Sequence, residues 1–509
     1  LGEIKGDIIM LSKFKTQPLK HQLDCLRRFG RSEYFALNGE QGTGKTWIAI
    51  NDMADLWSTH DLDTVLVFAP NGVHSNWVVK EIPQHMPEWV RVRYAAWYSN
   101  PNKKEREALE NVMKSTDSSE LKIIVMNWES LQHKKGVDFA TKFAANSRSL
   151  MIVADESQRV KEPSAARTKN LMKLKKYSKY RRTMSGTPIT NGPFGAFSQY
   201  SFLDDSILGT TSYFAFKAEY AEMLSTDSYQ MQGLMRKNGL RRAPQIVQRG
   251  VDGRPKYRNL DQLQKIIEPY TFRVLKKDCL DLPDKIYKCA WFDMTAEQKR
   301  VYEKVKEESR ISLNGNDSVI NHLTVLGKLC QITSGYYLHP DAEEPVRIEG
   351  DNPKMDLLCE RVSNTVEDGH SVIIWARYRA QLRDIAERMR VIDKNCVEYH
   401  GGVSKQDRIE AIDKFQSGEA KIFIAQQQSG GTGITLTKAS QVIYFSDTFS
   451  LEDRLQSEDR AHRIGQDKSV VYTNILARNT IDEVILNVLK TKQTVSDIVT
   501  GDALKKYFL

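Results

Sequence analysis

The eight residues Gly39, Glu40, Gln41, Gly42, Thr43, Gly44, Lys45 and Thr46 limit what this chain can fold into more than any other stretch of it. They follow the short apolar run Tyr34 to Leu37 and precede an amphipathic stretch, Trp47 to Leu56, which gives the order strand, glycine-rich turn, helix. That order commits the region to a parallel sheet with helical crossovers. The pattern G-x-x-x-x-G-K-T is also one that cradles phosphates. Its glycines let backbone N–H groups turn inward, and the helix N-terminus adds partial positive charge. Lys45 would reach the β and γ phosphates of ATP, and the Thr46 hydroxyl would ligate magnesium. A glycine-rich turn before an ordinary helix is the plain alternative, and the strand and helix on either side argue against it.

Short apolar runs alternate with longer amphipathic ones through the first 200 residues, at Tyr34 to Leu37, Val65 to Ala69, Ile123 to Met126, Met151 to Ala154 and Arg182 to Met184. The rhythm returns at Val372 to Trp375, Cys396 to Tyr399, Ile422 to Ile424, Val442 to Phe445 and Val470 to Asn474. A chain of 509 residues exceeds a single core, since such cores stop growing near ~250 to 300 residues. We therefore expect an α/β protein with two parallel-sheet lobes in tandem: residues 1–190, then helical protrusions and a connecting segment over 191–352, a second lobe over 353–480, and a bracing helix and tail over 481–509. Phe214, Phe216, Tyr220 and the stretch Glu297 to Glu308 fall in the helical part, and Ser228 to Asp261, rich in Gln, Gly and Arg, reads as partly loop.

Two further clusters carry chemistry. The apolar run Met151 to Ala154 delivers Asp155 and Glu156 to the carboxyl end of a strand, where open α/β sheets bind ligands. One carboxylate would hold magnesium (Asp155) and the other would orient or deprotonate an attacking water (Glu156). A solvated acidic pair is the plain alternative, weakened by the phosphate loop upstream. Gln456, Arg460 and Arg463 stand at i, i+4 and i+7, the spacing of one helical face. Two cations there suit a γ phosphate; a salt-bridged face beside Glu452, Asp453, Glu458 and Asp459 fits the spacing equally well.

Composition removes several classes. No apolar run approaches the ~20 residues of a membrane span. The six cysteines are scattered, with no pair at metal-ligand spacing, which argues against zinc and for a reducing compartment. A net charge of +9 suits a polyanionic partner. The chain starts at Leu1 without a signal-peptide pattern, as expected if an upstream part has been removed.

In chain order, from about Lys20 to Lys492, these elements resemble the Swi/Snf-like branch of superfamily-two helicases, whose ATPase core is a pair of RecA-like lobes. Leu19 to Gln22 are similar to that family's adenine-reading element, which implies that Gln22 contacts the base. Ala69, Pro70 and Asn71 with Ser75, Asn76 and Trp77, and then Asn127, Trp128 and Glu129, resemble its first DNA-contacting motifs. Asp155 and Glu156, with Ser185 to Asn191, resemble its second and third motifs, the latter coupling hydrolysis to movement and placing Thr187 near DNA. Leu275 to Asp278, Leu282, Pro283, Met294, Thr295, Gln298 and Tyr302 resemble the connection into the second lobe. Trp375 to Arg379, then Tyr399, His400, Gly401 and Gly402, then Ser429 to Leu436 with Gly430 and Gly433, resemble the following motifs. The run Gln456 to Gln466 is close to the sixth motif and is followed by a closing element at Thr480 to Glu483. The resemblance makes Arg460 and Arg463 the arginine fingers. Two departures stand out: Ser157 and Gln158 occupy positions where the family usually has Ala and His, and Ser440 stands where it tends to have Asp.

The resemblance implies a monomeric, ATP- and magnesium-dependent motor on double-stranded DNA, acting on DNA or on a DNA-bound protein, with no membrane partner. A strand-separating helicase and a nucleotide-gated binding module are the alternatives. Two basic runs, Arg167 to Arg182 and Arg236 to Arg258, are candidates for phosphate contacts. The lean is toward a bacterial or viral source, with a cytoplasmic or nucleoid-associated location; a eukaryotic source would imply the nucleus.

Overall fold

The computed structural model describes residues 14–59, 61–186, 192–237, 243–250, 255–313, 319–337, 345–430 and 433–491. The chain divides into two compact units: one holds residues 1–250 and 255–280, the other 251–254 and 281–509.

The first unit is built on a parallel sheet of seven strands: β1 (Tyr34–Gly39), β2 (Thr64–Ala69), β3 (Val92–Ala96), β4 (Leu121–Asn127), β5 (Leu150–Asp155), β6 (Ser178–Ser185) and β7 (Thr271–Val274), in the order β3-β4-β2-β5-β6-β1-β7. Strand periodicity explains its two cores. Val65, Val67, Ile123, Val125, Met151 and Val153 face one cluster with Trp47 and Ile50, while Leu66, Phe68, Ile124, Met126, Ile152 and Ala154 face a second with Trp128 and Phe143. Both faces are therefore covered. A third cluster gathers Phe197, Tyr200, Phe216, Tyr220, Leu263 and Ile267 against Ala36 of β1.

The second unit contains a parallel sheet of six strands, β8 (Lys285–Phe292), β11 (Ser371–Ala376), β12 (Val397–Tyr399), β13 (Ile422–Gln426), β14 (Ala439–Tyr444) and β15 (Val470–Ala477), in the order β12-β13-β11-β14-β15-β8; a small hairpin pairs β9 (Tyr336–Tyr337) with β10 (Val346–Arg347). Val372, Ile374, Ile422 and Ile424 face one core and Ile373, Trp375, Phe423 and Ala425 the other. The helix Ile481–Thr491 returns Ile481, Ile485 and Leu489 to the first of these cores. Asp482, at its start, accepts from Thr333 Oγ1 (2.9 Å), Lys354 Nζ (3.2 Å) and the Ala477 N–H (3.2 Å), which is why the closing element has an acid there.

All ten strands expected from the apolar runs are present. The segment 191–352, expected to be helical protrusions, also supplies an edge strand to each sheet, β7 beside β1 and β8 beside β15. The expected loop at Ser228 to Asp261 contains the helix Tyr229–Lys237. The tail from 492 lies outside the described residues.

Candidate nucleotide site

The glycine-rich loop leaves β1 at Gly39 and enters the helix Lys45–Ser58, whose N-cap, Gly44, has φ 78°. A Cβ at Gly44 would stand 2.1 Å from Gln22 Nε2 in a backbone conformation that side chains rarely adopt, and one at Gly39 2.7 Å from Thr43 Oγ1, so a side chain at either position would force its neighbours to shift. The helix's glycine N-cap makes no side-chain cap bond, an arrangement that suits an anion at a helix start.

The loop is held from four directions. From the helix Lys20–Phe29, His21 Nε2 lies 2.7 Å from the Thr43 carbonyl, and Gln22 donates to the Gly44 carbonyl (3.3 Å) while accepting from the Leu19 N–H (2.7 Å). Gln22, expected to read the base, thus also ties this helix to the loop. From the β7 side, Glu40 donates its N–H to Val274 O and accepts the Lys276 N–H at 2.7 Å. Within the loop, Lys45 Nζ donates to the Gly39 (2.7 Å) and Glu40 (3.2 Å) carbonyls. Under the helix, Asp52 meets Arg182 of β6 at 2.8 Å, with both side chains 1% exposed.

That ion pair corrects the reading of the first basic run. Arg182 is spent on Asp52, and Arg181 donates to the Leu203 and Ser178 carbonyls, because β6 is an interior strand whose side chains are enclosed. Only Lys169, Lys173, Lys176 and Lys179 of the run are exposed. Part of the second run, 238–242 and 251–254, lies outside the described residues.

Asp155 ends β5 and is 6% exposed. Its Oδ2 accepts from Trp77 Nε1 (3.0 Å), its Oδ1 from the Glu156 N–H (3.0 Å), and its carbonyl from Trp128 Nε1 (2.8 Å). Burial first, and then the neighbouring Glu156 carboxylate, push its pKa up to about 7 against the opposing pull of Trp77 and Lys45. Glu156 follows in the left-handed region at φ 50°, a costly conformation for a residue with a side chain. Gln158 Nε2 donates to Glu156 Oε2 (2.7 Å), and Gln158 Oε1 accepts from the Ser185 hydroxyl (2.7 Å). Gln41 of the loop donates to Glu156 Oε1 at 3.4 Å. Ser157 donates to Gln199 Oε1. The two departures at 157 and 158 are thus both bonded side chains, and Gln158 bridges the acidic pair to the end of β6.

The residues present fit a nucleotide's phosphates and a divalent cation. A side chain at Gly39 or Gly44 would crowd the loop, and the two Asp155 oxygens accept from uncharged donors, which leaves the carboxylate's charge for a cation. Thr46, half-buried in the first turn of the helix, and Asp155 would hold the metal.

Among the residues expected to meet DNA, Trp77 is 1% exposed and Trp128 is fully buried, stacked on Phe68. Both are corrected here. Their rings fill the first unit's cores and their N–H groups serve Asp155, so neither reaches a nucleic acid surface. Ser75 donates to Gly72 O beside the exposed Gly72. Thr187, with 188–191, lies outside the described residues. His400 accepts the Gly402 N–H on Nδ1 (3.1 Å), which leaves Nε2 to donate to Glu398 (3.2 Å); Gly401 is exposed. Ser429 and Gly430 lie in the short helix Gln427–Gly430, and Gly433 follows at φ 76°.

The arginine motif differs from its expected shape. The helix Leu451–Glu458 stops before Arg460, so Gln456, Arg460 and Arg463 do not share a helical face. The cause is the competition for this segment's groups. Arg460 O accepts the Leu436 N–H, Arg460 donates to Gln456 O (3.0 Å) and Ile434 O (3.1 Å), and His462 Nε2 lies 2.7 Å from Pro283 O. Arg460 is 6% exposed, whereas Arg463 is half-buried with its guanidinium on Thr435 Oγ1 (3.1 Å).

Sequence missed these supporting roles: His21 and Ser185 were read only as members of their motifs, Arg182 only as part of a strand and a basic run, and Gln199 not at all. The buried pair was detectable in principle, since an arginine enclosed in an interior strand needs a partner carboxylate.

Comparison with known proteins places the chain. The family model described as the SNF2-related domain matches residues 33–334, and the helicase conserved C-terminal domain matches 353–465. Protein CHROMATIN REMODELING 24 of Arabidopsis thaliana is 25% identical over 493 residues, 88% of this chain and 43% of its own. A protein of Mycoplasma genitalium named an uncharacterized ATP-dependent helicase is 27% identical over 462 residues, 90% of this chain and 39% of its own. The solved Sulfolobus solfataricus SWI2/SNF2 ATPase core in complex with dsDNA aligns over 97% of this chain and 95% of its own, at 24% identity and a TM-score of 0.41. The chain spans about two fifths of the length of the curated relatives.

Proposed function

We propose that this chain, which belongs to the SNF2-related family, is a DNA-dependent ATPase that translocates on double-stranded DNA and remodels DNA or a DNA-bound protein. The observation that carries the reading is the convergence of the phosphate loop and the acidic pair within one unit: Gln41 reaches Glu156 at 3.4 Å, and the charge of Lys45 acts on Asp155.

Each residue then has one task. Backbone N–H groups from Gly42 to Thr46 hold phosphate oxygens, and Lys45 turns from the loop carbonyls toward the β and γ phosphates. Thr46 and Asp155 would hold magnesium, which when bound would supply charge neutralisation at the phosphates. Glu156, oriented by Gln158 and Gln41, holds the attacking water and accepts its proton. Arg460 and Arg463 of the second unit stabilise the charge that develops at the γ phosphate. Gln22 contacts the base. Ser75, Thr187, His400, Gly401, Ser429 and Gly430 supply contacts to the track, mostly to its phosphates, which suits movement along any sequence.

Phosphate release stimulated by duplex DNA tests this. Lys45→Ala, Glu156→Gln and Arg463→Ala should each lose about 100-fold or more in turnover; full turnover in all three ends the proposal. Displacement of a triplex strand without unwinding of a fork supports translocation, and unwinding without displacement supports a strand-separating helicase instead.

A further inference from the structure

Trp77 and Trp128 come from two separate segments, one following β2 and one following β4, yet both aim an indole N–H at the same residue. Trp77 takes the carboxylate of Asp155 and Trp128 its carbonyl. Trp77 also opens a stretch of π-helix, Trp77–Glu81, a local widening that costs stability and is retained mostly where a side chain must be aimed. Both rings are buried, so the two bonds are fixed in direction by packing. An indole N–H can only donate. It therefore favours a carboxylate that presents its remaining lone pairs outward, and it cannot neutralise that carboxylate as a lysine or arginine would.

We infer that Trp77 and Trp128 form a two-point holder that positions the Asp155 carboxylate for a divalent cation, Trp77 acting on the ligating group and Trp128 on the main chain beneath it. This rests on the reading of Asp155 as a metal ligand. The same tryptophans belong to segments whose neighbours, among them Ser75, are proposed to meet the track. A shift of either segment is thereby transmitted to the metal ligand through one hydrogen bond. Trp77 is a positioning residue: it acts through Asp155.

The test uses the full chain, with Mn2+ as the probe, read by electron paramagnetic resonance in the presence of a non-hydrolysable ATP analogue, and separately the Mg2+ concentration that gives half-maximal phosphate release. Trp77→Phe should weaken Mn2+ binding and raise the Mg2+ requirement by about tenfold, the scale of one hydrogen bond to a charged group, with binding of metal-free ATP unchanged. Trp128→Phe should do the same to a smaller extent, and Trp89→Phe, a half-exposed ring elsewhere in the unit, should leave both unchanged. If Trp77→Phe does not fold, benzothienylalanine at position 77 keeps the ring shape and deletes only the N–H. Unchanged metal affinity in the N–H deletion, with Asp155→Asn losing Mn2+, overturns the holder alone. Normal Mn2+ binding by Asp155→Asn overturns the ligand reading itself, and the holder with it.

Discussion

Asp155 in the first unit and Glu458 in the second are both carboxylates almost wholly removed from water, and they are treated in opposite ways. Asp155 receives an indole and a peptide N–H. Glu458 receives Lys285 Nζ at 3.1 Å, Arg454 Nε at 2.9 Å and the Tyr287 hydroxyl at 2.7 Å. Burial pushes both pKa values up; at Asp155 it wins and the value rises to about 7, while at Glu458 Lys285 and Arg454 overcome it and hold the carboxyl below its usual range. One unit bonds its buried carboxylate through uncharged donors, and the other settles its charges within the fold.

Removing an internal partner should be the most damaging way to disturb this contrast. Arg454→Met leaves the buried Glu458, and the partly buried Asp447 that Arg454 also pairs, with too little positive charge. A loss of about 3–5 kcal/mol is expected by urea denaturation, and a loss under about 1 kcal/mol would contradict internal compensation. Asp155→Asn should do the reverse. The folded pKa of about 7 lies above the usual 3.8, so this group's contribution to stability is fully present below about 3.8 and is lost as pH rises through 7. The variant should therefore exceed the parent at pH 8, by on the order of 2 kcal/mol. That margin should shrink as the pH falls through 7 and vanish near 4, while hydrolysis is lost. A variant no more stable than the parent at pH 8 would show that Asp155 carries no such cost. The smallest effect separates the two arginines. Arg460→Ala deprives two buried carbonyls of their donor and should cost about 1–2 kcal/mol. Arg463→Ala should stay within about 0.5 kcal/mol. Equal thermal shifts would remove the distinction.

How far the sequence could be read follows from the range of each interaction. Apolar runs such as Val65 to Ala69 and Val372 to Trp375 are buried on both faces, and that burial is visible as uninterrupted hydrophobicity, so their strands were legible. The edge strands β7 and β8 were not. β7 has four residues, and β8 leaves Ile286, Tyr287 and Trp291 exposed beside Lys285 and Lys288, so neither carries the pattern of an enclosed strand. The phosphate loop and the acidic pair were legible because their chemistry is local to a turn. The arginine motif was misread as a continuous helix because what ends it, Leu436 and Pro283, lies far along the chain. The joint contact of the tryptophans was hidden for a similar reason, since no spacing rule reports that residues 77 and 128 meet at residue 155.

Position 158 has one more consequence, for kinetics. An amide gains no proton between pH 5 and 8, so Gln158 keeps one donor on Glu156 and one acceptor for Ser185 across the whole interval. A histidine there would titrate and break the bridge on one side of neutrality. Gln158 itself therefore adds no ionisation to this chain's rate profile, and Gln158→His should add a limb near neutrality to a plot of log turnover against pH.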